Sequence, residues 1–459
     1  MTHKLKCSRS LIHVCLLSAV ALALAIPASA EWKEKVLYSF QGGADGAGPA
    51  GGVVFGPDGS LYGATQFGGA DDCSPMADCG TVFQVTPQKD GSWTETVLYV
   101  FKGKASNDGE YPEGGLIADS AGNLYGTTAY GGTGNCVLLG ITGGCGTVYE
   151  LSPPQQKGGA WTETILYSFP TAKQGYVPDG NLVFDSAGNL YGATTYGGGK
   201  GTTCDEFYGG QCGMAFELSP PKKGGAWTEK VLHNFASGTD GANPNGGLAL
   251  DGKGNVYGTT FGGGTEGGEC GSGGCGTAFE LKPPSKRSGA WTEQILYRFS
   301  VQDGAAPAAG VVFGPNNDLY GTAEGGGTNG DGAVFSLSAP KGGSRLWKET
   351  LLYRFSDGSD GANPMAGLVF DAHGDLYGTA YRGHGGSQYG DVFRLRPRGK
   401  RGPWALSVLY GFSGSLDAAQ PNASLVFDRS GNLYSTSPLG GTGTGCGTGG
   451  CGTVYEVSP

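Results

Sequence analysis

The apolar positions of this chain fall into short runs that recur along its length, four to a repeat. Typical runs are "WTETVLYVF", "GLVFD", "NLYGTT" and "GTVYEL", and each is bounded by Gly, Pro, Asn or Asp. Short, crudely alternating runs of Val, Leu, Tyr, Phe and Thr between such residues predict β-strands. The links "DSAGN", "DGKGN" and "DAHGD" join the "GLVFD" and "NLYGTT" runs and are typical of tight hairpins.

The repeat occurs seven times and has no sustained helical periodicity. Its "LYG" motif, which reads "VYG" once and "LYS" in the last copy, recurs every 57–66 residues, starting at Leu61, Leu124, Leu190, Val256, Leu319, Leu376 and Leu433. Four strands in each of seven units predict an all-β, seven-bladed β-propeller with four antiparallel strands per blade. A solenoid is the alternative, but its terminal repeats are usually atypical, whereas the first and last units here resemble the others.

The order of the runs at the two ends predicts how the ring closes. Residues 32–40 hold one "W…LYSF" run alone, and the chain finishes with a "GTVYEV" run. We expect the glycine-rich "GLVFD" run to be innermost, where seven strands converge, and the "W…LYSF" run to be outermost. The N-terminal strand would then complete the last blade and remove an exposed sheet edge.

Residues 1–30 predict a secretory signal peptide. Lys4, Lys6 and Arg9 precede an apolar run of 16 residues, and "ASA" at 28–30 is a small-residue cleavage site. The run is shorter than the roughly 20 residues that a membrane span needs. We therefore expect cleavage near Ala30, a single propeller domain over 31–459, a secreted or periplasmic location and no membrane span after signal removal.

The cysteines that follow residue 30 form five neighbouring pairs between the "NLYGTT" and "GTVYEL" runs. In an exported protein this pattern predicts disulfides within loops. A zinc site would need four ligands, and no histidine recurs beside these pairs. The predicted pairs are Cys73 with Cys79, Cys136 with Cys145, Cys204 with Cys212, Cys270 with Cys275, and Cys446 with Cys451.

Composition and charge narrow the classes of partner. The chain has 91 glycines and 24 prolines, but 11% aromatic and only 15% charged residues argue for a packed core rather than disorder. A net charge of −10 excludes nucleic acid as an expected partner, since nucleic-acid-binding surfaces are basic. We expect a monomer.

An aspartate lies four residues before a proline in six of the seven loops between blades. These loops share one face of the disk with the disulfide loops. The aspartate could cap its own turn, or the six could form an acidic ring at the channel mouth that attracts cationic ligands or calcium. No other cofactor is indicated. The six are Asp45, Asp108, Asp240, Asp303, Asp360 and Asp417.

Two further features of the loop face are candidates for ligand contact. Aromatic residues end the "NLYGTT" runs and would either pack under the loops or offer a stacking surface for a sugar or peptide: Phe67, Tyr130, Tyr196, Phe261 and Tyr381. Units five and six lack the cysteines and carry distinctive polar residues in that loop: Glu324, Arg382, His384 and Gln388.

The repeated pattern "F…DGA.P.GGL..D..GNLYGTT..GG…GTVFEL" resembles the GloVer tandem repeat, named from Gloeobacter and Verrucomicrobia. The resemblance covers nearly all of 31–459 and implies an exported bacterial protein. The "D..GNLY" turn is also similar to that of NHL-like propellers, which concerns fold rather than function. The resemblance supplies no catalytic residues.

These patterns favour a secreted, non-catalytic propeller that binds an unknown extracellular ligand or partner on the face with the disulfide loops. A glycan, a peptide or an envelope protein would fit. The alternative is a propeller lyase, glycosidase or lactonase using carboxylates at the channel mouth. An enzyme site should break the seven-fold repetition with a unique polar cluster, which is the feature that separates the two hypotheses.

Overall fold

Seven four-stranded antiparallel sheets form the propeller in a computed structural model. The structure describes residues 31–69, 79–138, 141–156, 158–198, 212–222, 224–264, 270–271, 273–286, 289–327, 329–340, 347–399, 404–414 and 416–459. Trp32–Pro459 forms one compact unit. The predicted signal peptide lies outside the described residues.

Each blade runs from an inner strand beside the channel to an outer strand. The inner strands are Val54–Phe55, Ile117–Ala118, Val183–Phe184, Ala249–Leu250, Val312–Phe313, Val369–Phe370 and Val426–Phe427. The second strands are Leu61–Thr65, Leu124–Thr128, Leu190–Thr194, Val256–Thr260, Leu319–Ala323, Leu376–Ala380 and Leu433–Ser437.

The two remaining strands of each blade are longer. The third strands are Thr81–Pro87, Thr147–Ser152, Met214–Ser219, Thr277–Lys282, Ala333–Ser338, Asp391–Pro397 and Thr453–Ser458. The outer strands of blades 1 to 6 are Trp93–Val100, Thr162–Ser168, Thr228–Asn234, Thr292–Arg298, Lys348–Arg354 and Trp404–Gly411.

The N-terminal strand Lys33–Ser39 is the outer strand of blade 7. Lys33 lies opposite Ser458, and Ser39 lies opposite Thr453. The predicted closure, with one strand from the N-terminal end and three from the C-terminal end, is confirmed.

Short elements decorate the loops between these strands. They comprise the strand pairs Gly109–Glu110 with Tyr130–Gly131, Val137–Leu138 with Ile141–Thr142, and Ala418–Ala419 with Leu439–Gly440. Single 3₁₀ turns span Lys104–Ser106, Ala172–Gln174, His384–Gly386 and Gly447–Gly449. In the part of the chain that the structure describes, no helix is long and apolar enough to cross a membrane.

One aromatic pair recurs at every interface between blades. Its ring centroids are 4.8–5.3 Å apart, and it joins Phe40 to Phe83, Phe101 to Tyr149, Phe169 to Phe216, Phe235 to Phe279, Phe299 to Phe335, Phe355 to Phe393 and Phe412 to Tyr455. Five of these contacts are edge-to-face and two are tilted, and such contacts add to the large apolar area that the rings bury. The core therefore lies between successive blades.

The glycine of the "LYG" motif makes room for this aromatic pair. A Cβ atom on Gly192 would lie 2.6 Å from Cζ of Phe216, and one on Gly321 would lie 2.6 Å from Cζ of Phe335. Such contacts leave no room for a side chain beside these rings. In the first six units the glycine is thus required by packing of the third strand, whereas the last unit has Ser435 opposite Tyr455.

A β-bulge interrupts the pairing of third and outer strands at the same place in every blade. In blade 1, Val82 is opposite Tyr99 and Phe83 is opposite Val97, so Leu98 has no partner. A bulge bends a strand and turns the following side chains to the other face. This places the tyrosine that follows the bulged leucine toward the loop between blades.

Candidate functional site

The six aspartates of the inter-blade loops cap their own turns. Asp45 Oδ2 accepts hydrogen bonds from the Tyr38 hydroxyl at 2.9 Å and from the Gln41 N–H at 2.8 Å. The outer-strand tyrosine donates to the aspartate in the same way at Asp108, Asp303, Asp360 and Asp417, whereas Asp240 contacts His233. Carboxylates held this way stabilise the turn that leads to the next inner strand.

Of the two interpretations of these aspartates, the contacts favour the turn cap over an acidic ring at the channel mouth. Among the described residues, none of the six lines the central channel. Each is held back toward the outer strand by the hydrogen bond from its tyrosine or histidine, because the bulge points that side chain at the loop.

The disulfide prediction is supported. The bonds Cys136–Cys145, Cys270–Cys275 and Cys446–Cys451 are formed. Cys79 and Cys212 are also disulfide-bonded. Their predicted partners, Cys73 and Cys204, lie outside the described residues.

The distinctive residues of units five and six do not converge. Glu324 lines the central channel. His384 Nδ1 lies 3.0 Å from Asp391 Oδ1, and its ring lies against Gly411 at the end of an outer strand. Arg382, in the same loop as His384, is exposed. Gln388 is also exposed and does not line the channel.

The channel mouth itself carries a different set of polar residues. A cavity of about 620 Å³ is lined by the inner strands and the residues that precede them. The proline of each inter-blade loop fixes the entry to the inner strand, and the residue after it lines this cavity. Around the ring these residues are Ala50, Glu113, Asp179, Asn245, Ala308, Met365 and Asn422.

Glu113 and Asp179 form a pair of carboxyl groups on neighbouring blades. The Gln66 amide donates to Glu113 Oε1 at 3.0 Å, and the Thr195 hydroxyl donates to Asp179 Oδ1 at 2.7 Å. Burial raises the pKa of Glu113. Burial, followed by the negative charge of Glu113, raises the pKa of Asp179. The pair therefore retains a proton at higher pH than isolated carboxyls would, and can both donate and accept hydrogen bonds.

Two amides that line the same cavity have unused hydrogen-bonding capacity. The Oδ1 atoms of Asn245 and Asn422 are buried and have no hydrogen-bond partner among the described residues. Both side chains line the channel cavity. A buried acceptor without a partner is costly, so a ligand that donates a hydrogen bond would be favoured here.

A row of aromatic rings runs along the loop face of blades 1 to 3 beside the acid pair. Successive ring centroids lie 4.9, 5.8, 6.3 and 6.0 Å apart. Tyr176 is buried, and the other four rings are partly exposed. We call this the aromatic row; it consists of Phe67, Tyr111, Tyr130, Tyr176 and Tyr196.

The backbone holds two bulky residues in an unfavourable conformation at this site. The residue before the loop proline has a positive φ in every blade. In blades 2 and 3 that residue is Tyr111, with φ of 64°, and Val177, with φ of 57°. Aromatic and β-branched residues rarely adopt this conformation, and such strain is concentrated at functional sites.

The predicted aromatic candidates divide into two groups. Phe67, Tyr130 and Tyr196 belong to the aromatic row. The hydroxyl of Tyr381 donates to Gln420 Oε1 at 2.8 Å, away from the row, and Phe261 is 39% exposed without joining it. Glu113, Asp179, Tyr111 and Tyr176 were missed by the sequence analysis. A signal existed, because the residue after the repeated proline is acidic in two neighbouring units only.

The fold and this site define a seven-bladed propeller whose channel mouth is polar and aromatic on one side. The sequence model of the Gloeobacter/Verrucomicrobia repeat matches residues 26–203, 136–348 and 268–459. The chain therefore belongs to the Gloeobacter/Verrucomicrobia repeat family. A search of curated proteins finds no match to the sequence.

Solved structures share the architecture at low sequence identity. A fungal alcohol oxidase of the AA5 family, solved with copper, is 10% identical with a TM-score of 0.51, over 93% of this chain and 76% of that one. A glucose dehydrogenase is 16% identical, with a TM-score of 0.42 and coverage of 93% and 99%. A gluconolactonase from Xanthomonas campestris is 14% identical, with a TM-score of 0.36 and coverage of 68% and 78%. At these identities the likeness concerns the fold alone.

Proposed function

We propose that this protein is a secreted, non-catalytic propeller that binds a glycan on the loop face, at the channel mouth above blades 1 to 3. The observation that carries the proposal is the aromatic row beside the pair Glu113 and Asp179. This is the place where the described part of the ring departs from seven-fold repetition with groups suited to ligand contact.

The aromatic row suits the flat C–H faces of sugar rings. Its spacing of 4.9–6.3 Å between successive rings gives a continuous apolar strip rather than one isolated ring. Ligand sites generally combine such apolar surface with a few well-placed polar groups. Partly exposed tyrosines supply both, because the ring packs against carbon while the hydroxyl meets water or ligand.

The acid pair suits sugar hydroxyls. A carboxylate accepts hydrogen bonds, and a carboxyl that keeps its proton also donates one. The raised pKa of Glu113 and Asp179 favours a state that does both. The Oδ1 atoms of Asn245 and Asn422, which have no partner among the described residues, add acceptors in the same cavity.

Glycan-array binding with the purified, oxidised protein tests the proposal. We expect a defined set of oligosaccharides to bind the wild type, and Tyr130→Ala to weaken the affinity about tenfold, or about 1.4 kcal/mol. The matched control is Tyr381→Ala, which removes a loop-face tyrosine outside the row and should leave the affinity unchanged.

Three results would contradict the proposal. Equal glycan affinity of the wild type and a variant lacking both Tyr130 and Glu113 would place binding elsewhere. Turnover of the bound glycan, seen as released reducing ends, would show that the protein is an enzyme. Binding of a peptide or an envelope protein, without binding of any glycan, would show that the ligand belongs to another class.

We further propose that the protein acts outside the cytoplasm after cleavage near Ala30. Five disulfide-bonded loops are supported by three complete bonds and two further bonded cysteines, and such bonds persist in oxidising compartments. Amino-terminal sequencing of the protein recovered from its native host should begin near Glu31. An intact Met1 would contradict this.

A further inference from the structure

The outer strand of blade 3 has a histidine at a position where the outer strands of the other six blades have a tyrosine. Elsewhere the strand carries a tyrosine that faces the loop, as Tyr38 and Tyr99 do. Blade 3 has His233 at this position. An imidazole nitrogen therefore replaces a phenol hydroxyl beside the loop aspartate.

A third group reaches this position from the next blade. Each outer strand except that of blade 6 carries a glutamate near its start, and the glutamate approaches the preceding loop. Glu95 lies near Asp45 in this way, and Glu293 lies near His233 and Asp240. Within the described part of the chain, His233, Asp240 and Glu293 are the one group of three His, Cys, Asp or Glu side chains close enough to share a metal ion.

The distances suit a small tetrahedral ion. His233 Nε2 lies 3.2 and 3.3 Å from the two Asp240 oxygens and 3.7 Å from Glu293 Oε2. Tetrahedral bonds of about 2.0–2.1 Å from Zn²⁺ to nitrogen and oxygen set the ligand atoms about 3.3 Å apart. The three donors thus need to move little to enclose the ion.

Neighbouring groups already orient the donors. The Ala236 N–H donates to Asp240 Oδ2 at 2.8 Å, and the His233 ring packs edge-to-face on Phe235 with centroids 4.9 Å apart. Outer partners of this kind fix ligand orientation in metal sites. Arg298 brings a positive charge near Glu293, but its guanidinium is bound to the Thr239 carbonyl oxygen at 2.9 Å.

The site has both a free ligand atom and access for water. Glu293 Oε1 is buried and has no hydrogen-bond partner among the described residues. The side chains of His233, Asp240 and Glu293 remain 23%, 22% and 14% exposed. A water molecule can therefore supply the fourth ligand.

We propose that His233, Asp240 and Glu293 bind a divalent transition-metal ion, for which Zn²⁺ is the best fit, between blades 3 and 4. Nitrogen and carboxylate donors in tetrahedral spacing are typical of zinc and unlike the all-oxygen shell that calcium takes. A bound ion would link the outer strand of blade 3 to that of blade 4.

Zinc titration of the chelator-treated, tag-free protein tests the site. We expect one Zn²⁺ per chain by calorimetry and elemental analysis, with a higher melting temperature, and no uptake by His233→Tyr. This variant restores the residue found in the other blades and should fold normally. Glu293→Gln should bind at least about tenfold more weakly, since it removes one of three ligands.

Two matched variants sharpen the test. Tyr38→His places an imidazole beside Asp45 and Glu95 and should create a second zinc site. His384→Asn alters a histidine that contacts the single carboxylate of Asp391 and should leave the stoichiometry at one. The proposal is overturned if the chelator-treated wild type takes up no zinc at micromolar concentration, or if His233→Tyr takes up as much as the wild type.

Discussion

Blades 2 and 3 have the same backbone framework as blades 5 and 6 but place different side chains at the channel mouth. Both pairs of inner strands reach the channel through a proline, and both are packed by the repeated aromatic pair, which is 5.3 Å apart for Phe169 and Phe216 and also for Phe355 and Phe393. At the channel mouth, however, blades 2 and 3 place Glu113 and Asp179 where blades 5 and 6 place alanine and methionine.

The comparison shows which positions are free to change. Residues that pack between blades are held by their neighbours, since a misfit costs stability wherever it occurs. Residues after the loop proline face the cavity and contribute little to packing, so they can differ from blade to blade. Side chains that differ between blades can therefore accumulate at the channel mouth, while the inter-blade packing stays alike.

The largest effect is expected from removing one ring of the shared framework. Phe335→Ala in blade 5 and Phe216→Ala in blade 3 each empty a fully buried site and should each lower the free energy of unfolding by about 3–5 kcal/mol. Urea denaturation measures both. A much smaller loss of unfolding free energy in one of the two variants would show that the two regions differ in packing as well as in surface.

The next effect concerns the acid pair alone. The double variant Glu113→Gln, Asp179→Asn should lower glycan affinity at least about tenfold, because neither amide can act as a carboxylate. The equivalent exchange on the opposite side, Ala308→Gln with Met365→Asn, should leave affinity unchanged. Equal losses in both variants would mean that the whole rim contributes, rather than one side.

A smaller effect is expected from pH, through the outer-strand glutamates. Burial, followed by the loop aspartate of the neighbouring blade, raises the pKa of Glu34 and Glu95 to about 7. Glu163 and Glu349 are raised to about 7 for the same reasons. The folded chain then holds these protons more tightly than the unfolded chain does, so their stabilising contribution is complete below pH 4.5 and is lost as pH rises to about 7.

The melting temperature measures this contribution. It should fall as pH rises from 4.5 to 7, and Glu95→Gln should reduce the slope because that side chain no longer titrates. Blade 6 supplies a natural reference, since it has Leu406 where the others carry glutamate. An unchanged slope in Glu95→Gln would mean that folding does not raise the pKa of this glutamate.

The smallest effect should come from the apolar side of the mouth. Met365→Leu keeps the volume of a partly exposed side chain and should change stability by less than about 0.5 kcal/mol. Glycan affinity should also stay the same. A clear loss of binding would bring blade 6 into the site.

Sequence predicted the architecture well because the strands repeat. The "LYG" spacing gave the number of blades, and the run at 32–40 gave the closure, which Lys33 opposite Ser458 confirms. The bulge at Leu98 and its counterparts could not be predicted, since a bulge adds a residue that breaks strict alternation. The alternation of apolar and polar residues is therefore broken just before Tyr99, whose hydroxyl donates a hydrogen bond to Asp108.

The repeat pattern was a poor guide to the candidate site. The six aspartates were conspicuous because they recur, but recurrence reflects a turn that every blade needs. Glu113 and Asp179 are instead marked by a departure from the repeat, since the residue after the loop proline is acidic in those two units only, and their approach depends on inner strands that converge only in the folded ring. Tyr130 and Tyr196 were predicted because aromatic residues recur after the second strands. Tyr176 lies in the loop between blades 2 and 3, and only folding brings it beside them.

The pairing of Lys33 with Ser458 has a mechanical consequence. Both ends of the chain leave the ring at the same end of one antiparallel ladder, so a force that pulls them apart loads the hydrogen bonds one pair at a time. Such a ladder unzips, whereas strands pulled in opposite directions along their length must break many bonds together. A partner attached at either terminus would emerge from the same corner of blade 7, and tension between two such attachments would open the ring there first.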